Sequence, residues 1–327
     1  MSLGEIRILV VGAGAIGGYF GGRLLEAGRD VTFLVRPRRA GELSANGLVI
    51  RSPFGNATIS KPPTVLAEKL SGSFDLVLLS CKAYDLDGAI ASFAPAVGPD
   101  TAILPLLNGM RHMDVLDNRF GPAHVLGGQC FIAATLNEQR EIVHLNDAHD
   151  LSFGERDGAR SARAEAIALA FSSANFKTRF SEIIVQEMWE KWVFIATSAG
   201  ITSLMRAAVG DIVAAGGAYL AMTLLDECAA IAGREGFPPR PEPKERVRAM
   251  LTAAGSLLTA SMLRDIERGG AIEADHIVGD LLWRGEEGAN PLLRIVYAHL
   301  KAYEARRARE WQTPRPDASA RRTPPRP

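Results

Sequence analysis

Apolar residues are spread along this chain in two textures, and the change comes near Ser161. Before it they form short unbroken runs: Ile8-Leu-Val-Val11, Val31-Thr-Phe-Leu-Val35, Phe74-Asp-Leu-Val-Leu-Leu-Ser80 and Ala102-Ile-Leu-Pro-Leu106. Runs of that length with little polar alternation predict strands buried on both faces, as at the centre of a parallel sheet. Gly47-Leu-Val-Ile50 and Ala57-Thr-Ile59, set around Ser52-Pro-Phe-Gly-Asn56, predict a β-hairpin. Helical stretches fall between the runs, up to Ala45 and through Ala89–Phe93. A further unit passes from His124-Val-Leu126 to Phe131-Ile-Ala-Ala-Thr135, and strands near Ile142–Leu145 and Leu151–Phe153 extend the sheet. After Ser161 the strand signals fade. Helical spacing there predicts helices over Ala162–Ser173, Glu182–Thr197, Gly217–Glu235, Lys244–Leu251, Asp275–Gly285 and Leu292–Arg309. Asn290-Pro291 reads as a cap and first-turn proline for the last of these.

The first run breaks into Gly12-Ala13-Gly14-Ala15-Ile16-Gly17, then resumes with helical spacing through Leu24, Leu25 and Ala27. In this context each glycine has a mechanical task. Gly12 allows a tight turn, Gly14 lets the backbone approach a pyrophosphate, and Gly17 lets the helix pack close to the strand. A strand before the motif and a helix after it are the setting that marks a dinucleotide site. An NAD site usually closes its second strand with an acid for the ribose hydroxyl. Here that strand ends in Val35-Arg36-Pro37-Arg38-Arg39, and Asp30 lies at its wrong end. Arg36 can meet a 2′-phosphate by charge-assisted hydrogen bonds, which favours NADP(H). Arg38 and Arg39 read as a solvated basic loop. The alternation predicts an α/β fold: an N-terminal Rossmann-type doubly wound sheet over residues 1–180, then an all-helical domain over 181–312. Ligands of such sheets bind at the carboxyl ends of strands, where Gly14, Arg36, Lys82 and Asn108 all fall. The Pro- and Arg-rich stretch 313–327 lacks apolar periodicity and is expected to be disordered.

Composition narrows the class. The 327 residues suffice for two domains, and Lys+Arg and Asp+Glu balance at 37 each, so nothing points to nucleic acid or an anionic membrane. Three scattered cysteines make neither a disulfide framework nor a zinc signature, and the histidines lack metal-ligand spacing. No apolar run is long enough to span a bilayer, and a strand within the first ten residues leaves no room for a signal peptide. A cytoplasmic protein is expected, whose apolar helical half could support a homodimer.

In the helical half Lys191 is the most informative residue. Ile184, Met188 and Ile195 lie seven and three residues before it and four after it. Lys191 therefore projects from an apolar stripe, either snorkelling to a surface or pointing into a lined pocket. Desolvation there would lower its pKa and suit it to pass a proton near neutrality. The mixed charges of Ser261-Met-Leu-Arg264-Asp265-Ile-Glu267 and of Glu273-Ala-Asp275-His276 read alone as a solvated helix end.

Taken in order, the Gly-rich loop, Ser80-Cys-Lys82-Ala-Tyr84, Leu107-Asn108-Gly109-Met110, Trp189-Glu-Lys191, Ser261-Met-Leu-Arg-Asp265 and Glu273-Ala-Asp275 resemble the ketopantoate reductase (2-dehydropantoate 2-reductase) family. The likeness covers nearly all of the chain except its tail. It implies NADPH-dependent reduction of a 2-keto acid, most plainly 2-dehydropantoate to pantoate in pantothenate biosynthesis, or a close analogue. It also implies cofactor roles for Gly12 to Gly17, Arg36 and Lys82, with Asn108 and Ala133 beside the nicotinamide end. Lys191 is then the proton donor, Ser261 contacts the substrate with Asn108, and Glu273 orders the site from the cofactor side. The chain departs from the family at two positions. Where relatives commonly carry asparagines one and two turns after the lysine, it has Ile195 and Ala199. Thr197, Ser198, Thr202 and Ser203 are the hydroxyls at hand to compensate, with Thr197 and Ser198 expected on other faces of the helix. Two alternatives are a related hydroxy-acid dehydrogenase of different substrate and a non-catalytic dinucleotide sensor. Lys191, Asn108 and Glu273 together argue against the sensor.

Overall fold

A computed structural model describes residues 6–312, and the predicted tail, 313–327, lies outside the described residues. The chain divides between Trp192 and Val193 into two units.

The first unit is built on a five-stranded parallel sheet. Its strands are β1 (Ile8–Val11), β2 (Val31–Leu34), β5 (Thr64–Val65), β6 (Leu76–Leu79) and β7 (Ala102–Pro105), in the order β5-β2-β1-β6-β7. Every residue of β1, β6 and β7 is buried. Ile8 pairs with Val31 on one side and Leu76 on the other, which is why these segments carry no polar alternation. Connecting helices are α1 (Ala15–Glu26), α2 (Pro37–Asn46), α3 (Leu86–Phe93), α4 (Arg111–Phe120) and α5 (Ala162–Phe171). A second sheet runs β10-β9-β3-β4 and joins β3 (Leu48–Arg51), β4 (Ala57–Ile59), β9 (Ile142–Gly154) and β10 (Lys177–Phe180). There β8 (Gly127–Leu136) lies antiparallel on β9.

Helix α1 lies between the two sheets, and its glycines set both distances. A methyl group on Gly21 would sit 2.7 Å from Phe33, and one on Gly17 would collide with Ser80 Oγ and the Gly12 carbonyl. On the other face, methyl groups at Gly18 and Gly22 would lie 2.6 Å from Ile142 and 2.8 Å from Leu48. Positions 17 and 21 thus face the parallel sheet, and 18 and 22 the second sheet, each pair one helical turn apart.

Several elements differ from the sequence reading. The two short strands expected at 142–145 and 151–153 are one strand of 13 residues whose exposed middle, around Asn146, breaks the apolar signal while the ladder continues. Strand β10 lies beyond the point where strand signals fade, because Lys-Thr-Arg-Phe is an exposed edge. Helix α4 was not anticipated, since only His112, Met113 and Leu116 of its ten residues are buried.

Helix α6 (Ile184–Met205) runs two turns past its predicted end and carries the division between units. Among the described residues the second unit is helical throughout. It holds α7 (Val209–Ala214), α8 (Ala218–Arg234), α9 (Pro241–Leu251), α10 (Ser261–Glu267), α11 (Asp280–Arg284) and α12 (Pro291–Gln312). Helices α7 and α10 are additions to the sequence reading. The single helix expected over 275–285 is a π-helical turn, Asp275–Gly279, followed by α11. Gly200 lets α6 approach α8 and α12, since a methyl group there would meet Leu224 at 2.9 Å and Val296 at 3.1 Å. Pro291 opens α12 as expected, and the Glu227 carboxylate of α8 accepts from the Leu292 and Leu293 amides, satisfying its first turn. No helix among the described residues is long and apolar enough to cross a membrane.

Gly17→Ala forces a methyl group against backbone, which cannot swing aside as a side-chain end can. It is expected to cost about 1–3 kcal/mol of stability, read as a lower urea midpoint. Gly14→Ala, where the added carbon meets nothing within 4 Å, is the control expected to melt like wild type.

Candidate active site

The turn after β1 is tied down on three sides. Gly12, at φ +94°, donates its amide to Leu34 at the end of β2 (3.0 Å). Ser80, just beyond β6, donates its hydroxyl to the Val11 carbonyl at 3.0 Å. Arg39 Nε donates to the Ala13 carbonyl at 3.0 Å. This last contact corrects the reading of Arg39 as a solvated loop residue. Its side chain is only 12% exposed and pairs with Glu42, which also holds Arg38 and Arg140. Burial pushes the Glu42 carboxyl up, but hydrogen bonds from Arg140 and Arg39 prevail and bring it down to about 2. Arg38 is solvated as expected.

Helix α1 begins at Ala15 with no side-chain cap and no acid in its first turn. The amides of Ala15, Ile16 and Gly17 fall in the turn where a helix has no internal acceptors. With Gly14 opening onto clear space, that end fits a dinucleotide pyrophosphate. Arg36 follows β2, Lys82 follows β6 and Asn108 follows β7. Because β2, β1, β6 and β7 are parallel neighbours, these residues and the glycine turn share one edge of the sheet. Lys82 opens the helical turn Ala83–Asp85, and Asn108 is half-buried in the loop before α4. Arg36 meets Asp85 Oδ1 at 2.7 Å.

Lys191 is 8% exposed, so it points into the protein rather than snorkelling out. Ile184 and Met188 on its stripe are buried too. Its Nζ stands 5.4 Å from the centre of the Phe131 ring. Burial pushes the Lys191 ammonium below the usual lysine range, with the neighbouring Cys130 thiol opposing. Burial likewise pushes Cys130 upward. Both neighbours come from β8, and no periodicity in the sequence joins them to Lys191. Ala133 lies farther along β8 at a register shift, and its amide donates to Asn146 Oδ1 at 2.9 Å.

In the second unit Ser261 is the exposed first residue of α10, and Glu273 is half-buried two residues before the π-helical turn. The Thr202 hydroxyl of α6 accepts from the Ala260 amide at 3.5 Å, setting the start of α10 beside that helix. Ile195 is half-buried and Ala199 is 1% exposed. The hydroxyls near them are largely used within α6. Thr197 donates to the Val193 carbonyl (2.8 Å), Ser198 to Ile195 (3.3 Å) and Thr202 to Ser198 (2.7 Å). Ser198 is seven residues from Lys191 in an unbroken helix, so it lies within about 20° of the lysine stripe. The expectation that it sits on another face does not hold. The Ser203 hydroxyl is buried without a hydrogen-bond partner.

Two family models match the chain: "Ketopantoate reductase PanE/ApbA" over residues 8–158 and "Ketopantoate reductase PanE/ApbA C terminal" over residues 183–304. The uncharacterized oxidoreductase YkpB of Bacillus subtilis (strain 168) is 41% identical over 92% of this chain and 99% of its own length. The 2-dehydropantoate 2-reductase of Mesorhizobium japonicum is 30% identical over 84% of this chain and 89% of its own. The crystal structure of 2-dehydropantoate 2-reductase from Methylococcus capsulatus matches with a TM-score of 0.82 at 29% identity, covering 93% of this chain and 98% of that one.

The lowered Lys191 pKa has a consequence for stability. The folded chain releases this proton at lower pH than the unfolded chain, so between the lowered value and about 10.5 the unfolded state binds more protons. Stability contributed at this site therefore rises with pH across that window. Relative to Lys191→Met, wild type is expected to gain about 1.4 kcal/mol for each unit of lowering. Urea melts of both proteins from neutral to alkaline pH check this, and a constant difference would contradict it.

Proposed function

This chain belongs to the ketopantoate reductase family and is a nicotinamide-dinucleotide-dependent oxidoreductase, and we propose that it reduces 2-dehydropantoate or a close analogue to the 2-hydroxy acid with NADPH. The observation that carries this reading is a nearly fully buried lysine at Lys191, with its amino group over the Phe131 ring. A structural role gives no return for burying an ammonium ion in apolar surroundings, whereas proton donation does.

When bound, the dinucleotide supplies a hydride for the ketone carbon. The chain's own residues do the rest. The α1 amides and Gly14 hold the pyrophosphate, Arg36 takes the 2′-phosphate, and Lys82 and Asn108 line the same edge. Lys191 donates a hydrogen bond to the ketone oxygen and passes its proton as negative charge grows there. Its lowered pKa makes that transfer easier at neutral pH than from an ordinary lysine. Asn108 helps to fix the pose, and the family resemblance assigns Ser261 to the substrate and Glu273 to the cofactor side.

Ile195 and Ala199 bear on the substrate. With Thr197, Ser198 and Thr202 donating to their own helix, this wall offers hydrocarbon where relatives commonly present amides. It therefore favours a 2-keto acid without ketopantoate's hydroxyl, and ketopantoate itself is the second reading, supported by the names of the curated relatives.

Lys191→Ala is expected to lower kcat by about 10²–10⁴, the range for a positioned acid, while NADPH binding stays nearly unchanged. Turnover within a few-fold of wild type would remove Lys191 from the chemistry. The substrate is tested by kcat/KM for ketopantoate and its deoxy analogue, in wild type and in Ile195→Asn/Ala199→Asn. Wild type is expected to favour the analogue, and each restored hydrogen bond to return about 0.5–1.5 kcal/mol for ketopantoate. A wild type that prefers ketopantoate, with no gain in the double variant, would select the second reading.

A further inference from the structure

The ion pair between Arg36 and Asp85 sits where a structural account expects none. Asp85 closes the helical turn Ala83–Asp85, which runs directly into α3, and its carboxylate makes no capping bond there. The carboxylate turns instead to Arg36, 2.7 Å away. An exposed pair contributes only about 0–1 kcal/mol, so stability gives little reason for the arrangement. Arg36 is 74% exposed and Asp85 36%.

Position explains it better. Arg36 follows β2 and Asp85 lies six residues beyond β6, and these strands flank β1 on either side. Strands two apart in a sheet are separated by about 10 Å. The pair therefore joins the segments that follow the two strands flanking β1, at the carboxyl edge of the sheet. The acid that pairs with Arg36 thus comes from β6's side, while the end of β2 carries no acid of its own.

The geometry points to Asp85 as a determinant of dinucleotide preference: its carboxylate holds the Arg36 guanidinium and competes for it with a ribose 2′-phosphate. This rests on the reading of Arg36 as the phosphate's partner. An incoming phosphate takes the guanidinium from Asp85, and the carboxylate left behind returns to water. Binding of the phosphorylated ligand carries that exchange as a cost, and binding of the unphosphorylated ligand does not. Asp85 thereby narrows the gap between NADPH and NADH that Arg36 would otherwise open.

The test is binding by calorimetry, with adenosine 2′,5′-bisphosphate and 5′-AMP as probes that isolate the phosphate. Low ionic strength is used because exposed pairs are screened. Wild type, Asp85→Asn, Arg36→Ala and the double variant are compared after thermal melts show each folded. Asp85→Asn is expected to tighten the bisphosphate by about three- to fivefold and to leave 5′-AMP unchanged. In the Arg36→Ala background that gain should vanish. A gain below about threefold, an equal gain for 5′-AMP, or a gain that persists without Arg36 overturns the inference about Asp85. If Arg36→Ala costs the bisphosphate nothing relative to 5′-AMP, the phosphate-partner reading of Arg36 falls, and this inference with it. A loss there combined with no effect of Asp85→Asn leaves Arg36 its role and removes only that of Asp85.

Discussion

The close approach of α1 to two sheets at once is the constraint on which the first unit depends. Four glycines in its twelve residues are a poor choice for a helix, weakening it by about 0.5–1 kcal/mol each relative to alanine. The return is contact. With side chains absent at 17 and 21 on one face and 18 and 22 on the other, Tyr19, Phe20 and Leu24 are removed from water entirely. Burial of side chains that size contributes about 1.5–3 kcal/mol each and outweighs the lost propensity. The same wedge fixes the direction of α1, so its uncapped start stands over the turn after β1. Ties from Leu34, Ser80 and Arg39 then leave that turn little freedom. A phosphate cradle made of backbone amides needs this rigidity, because an amide cannot re-aim itself as a side chain can.

Burial of Lys191 works in the opposite sense. The glycine wedge gains stability by excluding water, whereas the lysine gives some up. Cys130 is itself held neutral by burial, and the Phe131 ring offers only its face to the ammonium. Neither supplies the counter-charge that usually accompanies a buried lysine. A carboxylate there would raise the pKa again and hold the proton back. For the proton donor proposed above, an apolar surround with one aromatic face loosens the hold on the proton.

What the sequence disclosed follows from how far apart the partners are. Strands β1, β6 and β7 were legible because both faces are buried and every residue carries the signal, and β2 because only the half-buried Thr32 interrupts its apolar run. The hairpin of β3 and β4 was legible from its turn. Strand β10 and helix α4 were not, since edges and half-exposed helices mix polar with apolar positions. At the site, residues at the ends of buried strands could be located by counting from the runs, which placed Gly14, Arg36, Lys82 and Asn108 on one edge. The contacts that tune them could not. Arg39 reaches back 26 residues to Ala13, Arg36 crosses 49 to Asp85, and Ser80 lies 69 from Val11. No local spacing encodes such pairs, and they appear only once β2, β1 and β6 lie side by side.

Helix α6 shows why having hydroxyls nearby is not the same as having a polar wall. A serine or threonine in a helix can donate to the carbonyl three or four residues back, and Thr197, Ser198 and Thr202 all do so. Each keeps lone pairs, so it can still accept, but a substrate carboxylate or ketone needs donors. Asparagine is different, because its amide offers two donors that the helix backbone does not absorb. Replacing asparagine by Ile195 and Ala199 therefore removes donors that the remaining hydroxyls cannot restore while they stay bonded to their own helix. Ser203 is the exception in chemistry, since its buried hydroxyl has no partner. It lies one turn past Ala199, however, and three turns past Lys191, about 18 Å along the axis at 1.5 Å per residue. That is too far for one small keto acid to touch both residues. On the proposed reading the polar group for the substrate's carboxylate therefore comes from elsewhere than the turns of α6 beyond Lys191, whose Ile195 and Ala199 offer only hydrocarbon.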